Sequence, residues 1–196
     1  MNIEAKRKIA HICVGLSIIL TYYLDILKPK YLFFSLIIFS VFSILSIKIK
    51  IPIIHFLLKN FEREKDFPFK GMLFFLSGCL ITMKLFTKDI ALASIMILTL
   101  GDSTSFLFGA FLGKIKFKLN NLKNLEGIIA GIVFGFLGSL FFVTPIEGFF
   151  SSSISMIIEG AGLKLGVNDL DDNLIIPLVA GTVIYLIRTN FHVFII

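Results

Sequence analysis

Apolar residues in this chain fall into long blocks, each closed by a charge cluster or a turn former, instead of the alternating or one-sided patterns of a water-soluble fold. Crossing the hydrocarbon core of a bilayer takes about 20 mainly apolar residues in a helix. On that rule the blocks predict spans at residues 9–27, 31–47, 71–87, 90–113, 127–146, 149–163 and 174–194. The sixth is short and carries Glu159. The apolar stretch Ile51–Leu58, opened by Pro52, is too short to cross and is expected at the membrane interface. The pattern therefore predicts an all-α polytopic membrane protein of about seven transmembrane helices, forming a single bundle and a single domain over residues 1–196.

Composition agrees. Hydrophobic residues make up 57% of the chain, and charged residues fall to 16%, against roughly 25% in soluble domains. Lys6, Arg7 and Lys8 before the first apolar block resemble the start of a secretory signal. The block leaves through Thr21-Tyr-Tyr-Leu-Asp25 with no small-residue cleavage site, so a retained first span is expected. Cys13 and Cys79 both lie within spans, in no metal-ligand or C-x-x-C spacing, and are expected to be small buried residues. Of the 19 basic residues, all but Lys28, Lys30, Lys84, Lys88 and Arg188 fall on the side of the N-terminus. The positive-inside rule then places that terminus in the cytoplasm. The net charge of +6 is concentrated on one face, which suits anionic lipid; nucleic acid is not expected as a partner.

The polar residues inside the blocks carry the chemistry. Asp102 stands in Thr99-Leu-Gly-Asp-Ser-Thr-Ser105, and a carboxylate at the centre of a span costs about 2.5–3.5 kcal/mol on insertion scales, so it is expected to face protein, water or an ion. At about 1.5 Å per residue, Asp102 lies about 18 Å along the helix from Lys114. A break near Gly101, an extension out of the membrane or a wet cavity would each accommodate it, the cavity being preferred. Gly101, Ser105, Gly109 and Gly113 form a small-residue stripe, repeated by Gly127, Gly131, Gly135 and Ser139, and such stripes let helices approach closely in lipid. Gly109-Ala-Phe-Leu-Gly113-Lys114 has the wrong spacing for a phosphate-binding P-loop. Arg7, Lys8 and His11 share one helical face, whereas the alternating charges of Glu62–Asp66 predict a solvated loop. Glu126 opens the fifth span, where a carboxylate suits the helix dipole. Asp169, Asp171 and Asp172 before Asn173 lack the glycine and glutamate of a calcium loop but suit a hydrated Mg²⁺. Carboxylates at Asp102, Glu126, Glu159 and Asp172 and cations at Arg7, Lys8, Lys114 and Lys123 thus converge on one membrane face, the combination that phosphoryl or nucleotidyl transfer requires.

In their order, Glu4-x-x-Arg7-Lys8-x-x-His11, Gly101-Asp102-x-x-Ser105-x-x-x-Gly109-x-x-x-Gly113-Lys114, Lys123-Asn-x-Glu126-Gly127-x-x-Ala130-Gly131, Glu159 and Asp171-Asp172-Asn173-Leu-x-x-Pro177 resemble the CTP-dependent lipid-alcohol kinases. That family includes dolichol kinase, phytol kinase and the CTP-using diacylglycerol kinase, and is distantly similar to phosphatidate cytidylyltransferases. Two positions depart from its pattern: Ser105 stands where alanine is usual, and Asn124 where Ser or Thr is usual. The resemblance implies transfer of the γ-phosphate of CTP, with Mg²⁺, to a polyprenol, dolichol, phytol or glyceride hydroxyl at the cytoplasmic surface. Arg7, Lys8, Asp102, Gly109, Glu126 and Asp172 carry over as matching positions; the roles we assign are a catalytic set of Asp102, Glu126 and Asp172, with Glu126 as base for the hydroxyl, and a metal site of Asp102, Asp172 and Glu159. The nucleotide and its phosphates would meet Arg7, Lys8, His11, Gly109, Gly113, Lys114, Lys123 and Asn173. Two other readings stay open: a cytidylyltransferase making a CDP-activated lipid, and an ion or proton transporter using Asp102 and Glu159 as relays. No second copy of the Gly101-Asp102 segment supports the transporter. The acceptor alcohol and the oligomeric state, a homo-oligomer included, are open from sequence.

Overall fold

The computed structural model describes residues 3–48, 67–162, 164–165, 168–169 and 171–190, without side-chain detail at 47–48, 164–165 and 168–169. The expected interfacial segment at 51–58 and the charge run at 62–66 lie outside the described residues. Among those residues the chain forms seven helices, one at each expected span: α1 Ile3–Tyr23, α2 Pro29–Lys48, α3 Lys70–Leu85, α4 Lys88–Leu112, α5 Leu125–Ser139, α6 Pro145–Ala161 and α7 Asp172–Asn190. Three of them contain windows long and apolar enough to cross a membrane, Pro29–Ser46, Lys88–Leu112 and Asp172–Asn190, while α5 is apolar but shorter.

The centre of the bundle is α4, whose apolar window is 83% buried against 11% for that of α2. Exposed apolar residues such as Phe34 and Ile38 coat α2 instead, so the same apolar composition serves a core in one helix and an outer surface in the other. Of the three ways to accommodate Asp102, a break near Gly101 does not occur. Helix α4 is α-helical over Lys88–Met96, widens to π over Ile97–Asp102 and returns to α over Ser103–Leu112. Widened turns of this kind re-aim side chains within a continuous helix.

Glycines set the spacing around α4, as the stripes predict. A Cβ on Gly127 would come within 2.4 Å of the Ser105 carbonyl oxygen, and one on Gly131 within 2.8 Å of Met156 Sδ and 2.9 Å of the Gly101 carbonyl oxygen. Gly15 does the same for α1, where a Cβ would sit 2.2 Å from Thr99 Oγ1. In α7, Pro177 has no N–H to give the Asn173 carbonyl one turn earlier. Gly78 of α3 packs directly on that carbonyl, with room for no side chain. Of the two cysteines, Cys79 is buried as expected but Cys13 is exposed, because α1 turns Lys8, His11, Gly15 and Ile18 inward and leaves Cys13 on the outer face.

Short antiparallel ribbons join the helices at one end, where the sequence suggested only loops. β1 Lys116–Phe117 pairs with β2 Asn120–Asn124 between α4 and α5, and β3 Lys164–Leu165 pairs with β4 Asn168–Asp169 between α6 and α7. At the opposite end, Thr144 and Glu147 form a capping box on α6 with Pro145 in its first turn. Arg188 of α7 donates from Nε to Glu147 Oε1 at 2.8 Å and from Nη2 to Glu147 Oε2 at 3.2 Å, and its Nη1 pairs with Asp89 at the start of α4. This clasp ties α4, α6 and α7 together at their far ends.

Candidate functional site

Away from the clasp, where the other ends of α6 and α7 meet the middle of α4, the same three helices each deliver one carboxylate. Asp102 comes from the widened turn of α4, Glu159 from the last turn of α6 and Asp172 from the first residue of α7. One oxygen from each lies within 4.8 Å of the others. Glycine packing explains the approach of the first two: Gly101 precedes Asp102, Met156 lies one turn before Glu159, and a Cβ on Gly101 would stand 3.0 Å from Met156 Sδ. Asp102 and Glu159 are each 2% exposed; the Asp172 side chain, at 39%, is the accessible member.

Two lysines face the three acids. Lys8 of α1 is buried and its ammonium pairs with Asp102, while Ser103 Oγ donates to the Lys8 carbonyl at 3.4 Å and holds the two helices in register. Lys123, from β2, pairs with Glu159 and reaches Asp172 at 4.0 Å. Burial by itself would lower the Lys123 pKa, but the carboxylates of Glu159 and Asp172 outweigh it and the value is raised, so Lys123 is a firm cation. Three carboxylates against two ammonium groups leave one negative charge over, and Glu159 Oε2 is buried without a hydrogen-bond partner. Hard oxygen donors at this spacing, one of them orphaned, fit a divalent cation such as Mg²⁺.

The remaining site candidates sort into two groups. Arg7, His11 and Asn173 stand beside the cage. Arg7 pairs with Glu4 at 2.9 Å, and Gly71 at the start of α3 packs on both Arg7 and His11. His11 is buried and stacked on Phe75, ring centroids 5.0 Å apart. Asn173 Nδ2 donates to Asp171 Oδ1 at 2.9 Å; burial pushes the Asp171 carboxyl above its ordinary value against the hydrogen bonds it accepts from Asn173. Buried polar atoms without partners gather here too: Arg7 Nε, His11 Nδ1 and Asn173 Oδ1.

Glu126, Gly109, Gly113 and Lys114 form a separate structural joint. Glu126 Oε1 accepts from the backbone N–H groups of Lys114 at 2.9 Å and Ile115 at 3.0 Å, with a third contact from Ile115 to Oε2 at 3.3 Å. Both oxygens are therefore engaged in closing the turn between α4 and β1, and Glu126 is not among the clustered carboxylates. Asn124 Nδ2 donates to the Gly109 carbonyl at 2.8 Å, and Gly113 makes room for that amide, since a Cβ there would stand 2.2 Å from Nδ2. The Lys114 side chain is exposed. The unusual Asn124 thus works as a clamp on the end of α4. Beside it lies a cleft of about 280 Å³ lined by Ser105, Phe106, Gly109, Ala110, Leu122, Lys123 and Asn124, sharing Lys123 with the acidic cage.

Sequence reasoning missed the direct pairing of Lys8 with Asp102. The one signal available was that a buried carboxylate in a span needs a cationic neighbour.

Fold and site together define a helical bundle with apolar membrane-length helices and a buried acidic cage bounded by lysines. Over 139 residues the chain is 30% identical to CTP-dependent diacylglycerol kinase 1 of Schizosaccharomyces pombe, an alignment covering 64% of this chain and 63% of that protein. The chain thus matches less than two thirds of its relative's length. No family model and no solved structure matches it.

Proposed function

We propose that this protein is a CTP-dependent lipid kinase that phosphorylates a membrane lipid alcohol, with its acidic cage in the cytoplasmic half of the bilayer and its N-terminus in the cytoplasm. The observation that carries the reading is the meeting of Asp102, Glu159 and Asp172 with Lys8 and Lys123 at one end of the bundle. Similarity to a protein named for CTP-dependent diacylglycerol kinase activity supports the donor and the reaction type. The ordered motifs extend the acceptor class to polyprenols and phytol-like alcohols.

Asp102, Glu159 and Asp172 would hold Mg²⁺, which when bound supplies positive charge to offset that developing on the transferring phosphoryl group. Lys8, Lys123 and Arg7 bind phosphate oxygens by charge. Asn173 and His11 offer unpartnered polar atoms to the bound nucleotide. The acceptor hydroxyl approaches through the cleft at Ser105 and Asn124, which leads to Lys123. Its oxygen forms a bond to the γ-phosphorus, the bond from that phosphorus to the β,γ-bridging oxygen breaks, and CDP leaves. The hydroxyl proton passes to Asp172, the exposed member of the three, instead of to Glu126, whose oxygens are committed to the backbone.

The test is purified protein in lipid nanodiscs with Mg²⁺, a panel of diacylglycerol, polyprenols, phytol and their monophosphates, and CTP labelled in parallel at the γ-phosphate and in the cytosine ring. Labelled lipid phosphate is expected from at least one acceptor. No product from any acceptor rejects the kinase, and a product retaining cytidine replaces it with cytidylyl transfer.

A further inference from the structure

Lys8 and Lys123 pair with the same three carboxylates that a metal would need. Lys8 pairs with Asp102; Lys123 pairs with Glu159 and stands 4.0 Å from Asp172. In the structure described, every carboxylate of the cage therefore has an ammonium group as its counter-ion, and Glu159 Oε2 is buried without a partner. A divalent cation entering this cage meets two positive charges at contact distance, in surroundings where such repulsion is weakly screened. Unless the lysines move away, their repulsion cancels much of what three carboxylates offer. A lysine released from a buried carboxylate needs another anion, because an unpaired charge in a buried site is costly.

We infer that Lys8 and Lys123 are exchangeable counter-ions, so that the cage accepts a divalent cation only together with a polyphosphate that takes over the two ammonium groups. Cation and nucleotide then bind with positive coupling, and the coupling resides in the lysines. Lys123 is the mobile partner: it hangs from the β1–β2 ribbon, its side chain is 35% exposed and it lines the open cleft, whereas Lys8 is sealed within α1. The inference rests on the function proposed above for the identity of the polyphosphate, but its mechanics depend only on the cage.

Binding of Mn²⁺ to the full chain in nanodiscs, alone and with the non-transferable β,γ-methylene analogue of CTP, tests it. In the wild type the analogue is expected to tighten Mn²⁺ binding at least about fivefold beyond the association of Mn²⁺ with the analogue in solution, the lower end of ordinary coupling between sites. In Lys123→Met and Lys123→Gln, Mn²⁺ alone should bind at least about fivefold more tightly than to the wild type, and the coupling should collapse toward one. Wild-type affinity that ignores the analogue overturns the inference, as does Mn²⁺ binding that is unchanged or weaker in folded Lys123 variants. Should both variants fail to fold, the wild-type comparison decides alone. Absence of Mn²⁺ binding to any form removes the exchange and the metal cage together. Coupled binding without labelled lipid phosphate would keep the exchange and reject the kinase.

Discussion

The helices α4, α6 and α7 share two ionic clusters, one at the far ends of all three and one where the near ends of α6 and α7 meet the middle of α4, and the two are built to opposite rules. At the far end α7 contributes a cation: Arg188 lies between Glu147 and Asp89, its guanidinium donates to both, and the Thr144 backbone N–H also donates to Glu147, at 3.0 Å. At the near end α7 contributes a third acid, so Asp102, Glu159 and Asp172 crowd together, and the balancing lysines come from outside the trio, on α1 and β2. The first cluster is saturated, and no oxygen of Glu147 lacks a donor. The second leaves an oxygen of Glu159 unpaired. Burial and charge are shared by both, so neither distinguishes the two clusters; the unpaired oxygen does.

Substitutions should separate the two ends, the largest effect coming from the cage. Asp102→Asn keeps shape and removes charge, and phosphoryl transfer should fall by about a thousandfold, the upper scale for losing one principal electrostatic group, with the protein still folded by circular dichroism. Retained activity would remove Asp102 from the chemistry. Arg188→Met at the far end strands the buried Glu147 and should cost on the order of 2–3 kcal/mol of stability, at or below the low side of the range for breaking a buried pair because Arg188 is partly exposed. Adding Glu147→Gln should recover most of that loss in thermal unfolding, and KM for CTP should not move; a KM shift would mean that the ends are not independent. Gly127→Ala pushes α5 away from Ser105 and should cost about 1–3 kcal/mol, measurable by the same melt. The smallest effect is expected from Glu126→Gln, which keeps one acceptor oxygen for the Lys114 and Ile115 N–H groups: a loss below about tenfold in kcat. A general base is worth about a hundredfold or more, so a loss of that size would return Glu126 to the catalytic set.

Much of this was legible from the chain. Apolar block lengths located a helix at each expected span, because in lipid the backbone has few other ways to satisfy its hydrogen bonds. The glycine stripes of α4 and α5 foretold their contact. Asp102, Glu159 and Asp172 stood out because ionisable groups within or beside apolar blocks are expensive without a partner. The pairings were not legible. Nothing in the spacing says that Lys8 answers Asp102 across 94 positions or that Arg188 answers Glu147 across 41, since such contacts depend on helix rotation about the bundle axis. Glu126 is ambiguous for a related reason: a carboxylate in a first helical turn has the same sequence signature whether it takes a proton or fastens a turn. The widening at Ile97–Asp102 left no signature either, since its residues are ordinary helix formers apart from Gly101.

Lys123 is carried by a short two-stranded ribbon, while the acids it serves are fixed to the bundle by glycine contacts and, at the far end, by the Arg188 clasp. Stiffness and travel are thereby assigned to different pieces of chain: the socket keeps its dimensions while its plug swings on a hinge. Phe117 and Asn124 tie the ribbon itself to the helices, so the travel falls to the Lys123 side chain, and a cycle of loading and release would leave the helical framework at rest.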